Sequence, residues 1–162
     1  MAKMEIRGFD ELELQLSKLA NPEISKEVVK AGAQPVADQI RKNLQGLPED
    51  KFRRLKSDEV FTGVPKQQKQ DLLNSMGITP PGVDFDGNTN IKIGFDGYGK
   101  IPTKKYPKGV PNQLLARAIE SGSSVRKKTP FIRRGEGKSK KLAEAEMQKK
   151  LDEKIESIKK GR

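Results

Sequence analysis

Apolar side chains are scarce in this chain and arrive as stripes and isolated pairs rather than runs, which limits it to a modest core. Hydrophobic residues make up 33% of the 162 and charged residues 34%, where ordinary globular domains run near ~45–50% and ~25%. A domain of about 150 residues can still bury roughly 68–70% of its unfolded surface. One domain over residues 1–162 is therefore expected, with long solvated or partner-covered arms. No apolar run approaches the roughly 18 residues needed to cross a bilayer, and Met1–Glu5 lacks the apolar region of a secretory signal, so the protein is expected to be soluble and to stay where it is made.

The stripes locate the elements. Met4–Arg7 alternates and predicts a short edge strand ended by Gly8. Leu12, Leu16 and Leu19 recur at helical spacing behind Asp10, with Glu13 three residues on, so a first helix is predicted over about 11–19 with Asp10 as its cap. Asn21-Pro22 starts a second, carried by Ile24, Val28, Val36, Ile40 and Leu44 and closed by Gly46 and Pro48, with a kink expected at Pro35 eased by Gly32. Residues 49–70 read as loop with at most one helical turn. A short helix follows over 67–75, then a hairpin pairing 83–85 with 91–95 across Asp86-Gly87-Asn88. Pro111-Asn112 opens a compact helix through Leu114, Leu115, Ala118 and Ile119, with Gly122 placed as its left-handed terminator. From about 139 to 160 a last helix carries Ala143, Met147, Leu151, Ile155 and Ile158 on one narrow stripe, which is expected to pack on the sheet. The fold class these elements predict is α+β: a small, mainly antiparallel sheet packed against two N-terminal helices and closed by a C-terminal helix.

The positive charge is local. Lys and Arg number 33 against 22 acids, a net of +11, yet residues 1–50 carry 7 basic and 9 acidic side chains while residues 101–141 carry 12 and 2. A loop-rich segment of that kind attracts phosphate or acidic protein surfaces. One reading is therefore non-specific nucleic-acid binding through 101–141. Only Tyr98, Tyr106 and Phe131 supply aromatic rings near it, and single-strand binders usually add stacking platforms.

Histidine and cysteine are both absent. Within one chain this removes Ser-His-Asp triads, Cys-His dyads, thiolate or His-containing zinc sites and disulfides. Carboxylate or lysine chemistry stays formally open, but no spacing selects it, and no catalytic residue, metal or cofactor is expected. Asp84-Phe85-Asp86-Gly87-Asn88 imitates a calcium loop, yet its Gly comes too early and suits a hairpin turn. Gly94–Lys100 imitates a phosphate loop but lacks the spacing, the Ser or Thr after Lys, and a following helix.

Several short motifs in order resemble the small head-to-tail joining, or tail-completion, proteins of long-tailed bacteriophages. Met4–Leu19 is similar to the family's strand, Gly and Glu/Leu-rich helix, and Val29–Ala37 through Leu44 to its second helix. Thr62-Gly63 and Leu72-Leu73-Asn74-Ser75 follow, then Leu115–Ser123 and, after a basic loop, Thr129-Pro130-Phe131-Ile132-Arg133. The chain departs from the family in having Leu115 where Tyr is common, Ser121 where an aromatic is common, and a longer polar stretch over 46–66.

The resemblance implies a non-enzymatic virion protein of the tail or neck, held in the host cytoplasm before assembly. It would form a ring of identical subunits, hexameric by tail symmetry, that touches neighbouring tail and head-connector proteins and packaged DNA. Lys104, Lys105, Lys108, Arg126, Lys127, Lys128, Arg133 and Arg134 are the candidate interface or DNA-facing residues. Glu120, Gly122, Pro130 and Phe131 form the candidate structural motif, with Phe131 either a core plug, as the usual burial of Phe favours, or an interface anchor. Glu120 is expected to pair with Arg126, Arg133 or Arg134, because a carboxylate in a helix's last turn is disfavoured by the macrodipole.

Overall fold

The structure, a computed structural model, describes residues Phe9–Gly161. The strand expected at 4–7 lies outside them. The fold is α+β, as the stripes predict. In chain order the helices are α1 (Phe9–Leu19), α2 (Pro22–Gln45), α3 (Lys66–Ser75), α4 (Asn112–Ser121) and α5 (Ile132–Lys159). The strands are β1 (Glu49–Asp50), β2 (Val64–Pro65), β3 (Met76–Ile78), β4 (Gly82–Val83), β5 (Thr89–Asn90) and β6 (Ile93–Phe95). Asp10 falls inside α1 rather than capping it.

α2 begins as its signal predicts: the Asn21 side chain accepts the Glu23 amide at 3.0 Å, and Pro22 takes the first helical position. The helix stays continuous through Pro35 to Gly46, whose amide bonds back to Lys42. The main correction concerns α5, which starts seven residues earlier than expected and packs along α2 instead of on a sheet. The two helices run antiparallel. Asn43 Nδ2 donates to the Phe131 carbonyl at one end, and Glu27 meets Lys154 at 2.7 Å and Lys150 at 3.8 Å at the other. The Lys154 hydrogen bond, with both lysines' charges, holds the Glu27 carboxyl below its ordinary pKa against a smaller opposing effect of burial. Between the ends the seam is built from small residues, Gly32, Ala33 and Ala37 on α2 with Gly135, Ser139 and Ala143 on α5. They bring the backbones close. At residue 135 a Cβ would lie 3.1 Å from both Cα and N of Ile40.

Strand pairing is divided among three two-stranded ladders rather than one sheet: β1–β2 parallel, β3–β6 and β4–β5 antiparallel. The expected turn is present, with Gly87 at φ +82° and the Asp84 amide bonded to the Asn88 carbonyl. The pairing around it differs from expectation. Residues 93–95 pair with 76–78, and only 82–83 meet 89–90. Between the two ladders Thr79-Pro80-Pro81 faces only Ile91-Lys92, so the hairpin carries one extra residue where prolines have no amide to offer.

The core gathers where α2, α3, α4 and the β3–β6 ribbon converge, around Ile40, Leu44, Val64, Leu72, Phe95, Leu115, Ile119 and Phe131. It lies at the C-terminal end of α2. α1 packs against α5, and of its described side chains Leu12, Leu14 and Leu16 are 50%, 56% and 56% exposed.

Candidate functional site

The motif residues and the basic residues separate into a buried clamp and an exposed groove. The clamp is the Glu120–Phe131 unit. Glu120, in the last turn of α4, turns its carboxylate onto the start of α5, where Oε2 accepts the amides of Phe131 and Ile132 at 2.7 and 2.8 Å and Oε1 accepts that of Arg133 at 3.1 Å. This corrects the expectation of an arginine side chain as its partner. The carboxylate sits unfavourably at one helix's negative end but satisfies three unpaired donors at another's positive end. No residue next to α5 caps it, so its cap comes from 11 positions upstream.

Gly122 permits the turn between them. Its φ of +81° is positive as expected, but its ψ of 168° makes it extended rather than left-handed helical. Lys128 backbone lies within 3.1–3.3 Å of where a Cβ would stand. The returning segment then bonds Thr129 N to Ile119 O at 2.8 Å, Pro130 is half-buried, and Phe131, 1% exposed, meets the edge of Phe95 with ring centroids 6.0 Å apart. The core plug is thus confirmed. Replacing Glu120 with Ala should cost about 2 kcal/mol, from charge-assisted bonds to a helix terminus. A Glu120→Gln variant, which keeps acceptor geometry without charge, should lose about half as much; equal denaturation midpoints for all three proteins would contradict the capping role.

Arg126 is the second correction. Assigned from sequence to an interface, it is 6% exposed. Nη1 donates to Gly63 O at 2.9 Å and Nη2 to Gln68 Oε1 at 2.8 Å, and the guanidinium lies 5.2 Å from the centroid of Phe61. Burial lowers its pKa, opposed by the charge of Asp50. A guanidinium satisfied by a carbonyl, an amide and an aromatic face is a structural pin joining the 123–126 turn to the 61–68 segment. Lys127 and Lys128 beside it remain exposed, as do Arg133 and Arg134 on the first turn of α5.

Lys104, Lys105 and Lys108 are exposed on a loop pinched at its base. There the Gly99 amide bonds to Val110 O at 2.9 Å, and the buried Asp71 carboxylate accepts the Lys100 amide at 2.8 Å. The charges are thus presented on an anchored loop.

Between that loop, residues 52–61, α4 and the 123–126 turn runs a groove of about 620 Å³. Its floor and walls are apolar: Phe52, Phe61, Tyr106, Leu114 and Val125, of which Phe52, Leu114 and Val125 are 49%, 40% and 52% exposed. Phe52 stacks on Phe61 at 6.0 Å, and Arg53 covers the same ring at 5.5 Å. Arg53 and Lys105 stand in its walls, so it is apolar inside and basic at the edge. The sequence alone does not reveal this site, because its residues come from separate segments and Phe52, Phe61 and Val125 fall on no periodic stripe.

Among the described residues, no group of three or more Asp or Glu side chains is placed to hold a metal ion, and no helix is long and apolar enough to cross a membrane. Comparison of the chain with protein-family models, with curated proteins and with solved structures returned no match.

Proposed function

We propose that the chain is a structural subunit of the head-to-tail joint of a long-tailed bacteriophage, completing or joining the tail through protein contacts in a ring. The observation that carries this reading is the apolar groove edged with Lys and Arg. It has the composition of a protein-docking surface, large apolar and aromatic side chains with arginine at the rim, on a chain whose small core leaves much else exposed. The ordered motifs behind the resemblance support the same reading, because Glu120 and Phe131 act as one unit: the first caps α5 and the second anchors it. On this reading the motif is scaffold, and the groove and the loops bearing Lys104, Lys105, Lys108, Lys127 and Lys128 meet partners, acidic virion proteins first and packaged DNA as a neighbour. The neck and tail follow as its place in the virion.

Images of particles assembled with and without the chain test the proposal. Heads and tails that both form but fail to unite in its absence are expected; normal infectious particles would overturn it. Duplex DNA binding separates the remaining alternative, since a phosphate binder loses affinity log-linearly as salt rises. Submicromolar binding by the isolated protein at physiological salt would favour a nucleic-acid role instead.

A further inference from the structure

Two surfaces at opposite ends of the molecule complement each other. On α1, Leu12 and Leu16 stand one turn apart on the same side, 50% and 56% exposed, with Glu13 beside them. The helix carries Asp10, Glu11 and Glu13 against Lys18 alone. At the other end lies the groove, apolar within and edged by Lys105 and by Arg53, whose guanidinium is shared with Asp50 at 2.8 Å, with Lys104 and Lys127 adjacent in the chain. An acidic helix with leucines at i and i+4 is the kind of ligand such a groove accepts. α1 joins the N-terminal end of α2, whereas the groove lies past its C-terminal end, and the 24 residues between span about 36 Å.

We infer that α1 of one copy docks in the groove of a second copy, with Leu12 and Leu16 against Phe52, Leu114 and Val125 and with Glu13 facing Arg53 and Lys105. The inference rests on the reading of the chain as an assembly subunit and names the contact between subunits. Because donor and acceptor are different surfaces at opposite ends, the contact is head-to-tail, and repetition closes a ring or extends a filament. The charge pairing also sets direction: copies meeting groove to groove bring like charges together.

Sedimentation velocity of the full chain tests this. The wild-type protein should self-associate at concentrations up to on the order of 100 μM, less so as salt screens the charged edge. A Leu12→Asp/Leu16→Asp variant and a Val125→Asp variant should each bind themselves at least about tenfold more weakly. Mixed one to one, they should form a dimer and stop, since each retains the surface the other lacks. Glu13→Lys should weaken association and Lys105→Glu on the partner copy should restore it. All of these positions are exposed, so unchanged melting temperatures separate loss of docking from loss of folding. A wild-type protein that stays monomeric overturns the inference, as do variants that assemble like wild type. In the latter case the assembly role survives with a different contact, whereas particles that unite normally without the chain remove the role itself.

Discussion

Replacing Gly135 with Val should lower stability by about 3 kcal/mol, near the top of the range for overpacked cores, while the same change at Gly137 should be neutral or slightly stabilising. Both glycines lie within α5, so the change in helix propensity is shared; Val is a few tenths of a kcal/mol better than Gly in a helix. The surroundings differ. At Gly137 nothing lies within 4 Å of the added Cβ, whereas at Gly135 it meets Ile40 Cγ1 at 2.6 Å and the Ile40 backbone at 3.1 Å. The Ile40 side chain can rotate away, but its backbone belongs to α2 and moves only if the whole helix seam opens. For a chain of this length the loss corresponds to a fall in melting temperature of about 6–12 °C. Equal melting temperatures for the two variants would show that α2 and α5 do not approach as closely as described.

Local signals read well wherever the physics was local. Asn21-Pro22 marked the start of α2 because the cap and the first-turn proline act within two residues of each other. Asp86-Gly87-Asn88 marked a turn because the positive φ sits on the glycine itself. The start of α5 is not legible in the sequence for the opposite reason. Gly135 and Gly137 argue against a helix locally, and nothing next to Ile132 caps it; the cap is Glu120, and the glycines serve contact with α2. The hairpin register slipped because Thr79-Pro80-Pro81 inserts an unpaired residue, which alternation alone does not reveal.

The candidate site was legible in its charge but not in its shape. The excess of Lys and Arg over 101–141 identified the loops that remain exposed, Lys104, Lys105, Lys108, Lys127 and Lys128. Composition treats every arginine in a basic run alike, so it places the buried Arg126 at the surface. Its burial is decided by Gly63 and Gln68, 63 and 58 residues away. Sorting a basic run into structural and available charges requires knowing which cation has found a carbonyl, an amide and a ring.

Truncating Phe131 to Ala should cost about 3–5 kcal/mol, the usual loss for a buried phenylalanine whose cavity cannot collapse. Collapse is hindered on each side. The Phe131 backbone is held by the Glu120 carboxylate through its amide and by Asn43 through its carbonyl, so the main chain cannot sink into the space. Phe95, in contact across the edge-to-face pair, is fixed by pairing of its own strand with Met76. Against a total stability of about 5–15 kcal/mol, the variant should melt about 6–20 °C lower, and Phe131→Leu, which fills most of the volume, should recover more than half the loss. Chemical denaturation of the three proteins measures this directly. If Phe131→Ala keeps wild-type stability but abolishes self-association, the ring is an interface anchor and the core-plug assignment fails. If stability falls as expected while the remaining folded protein associates normally, Phe131 belongs to the scaffold and the docking energy lies in the groove.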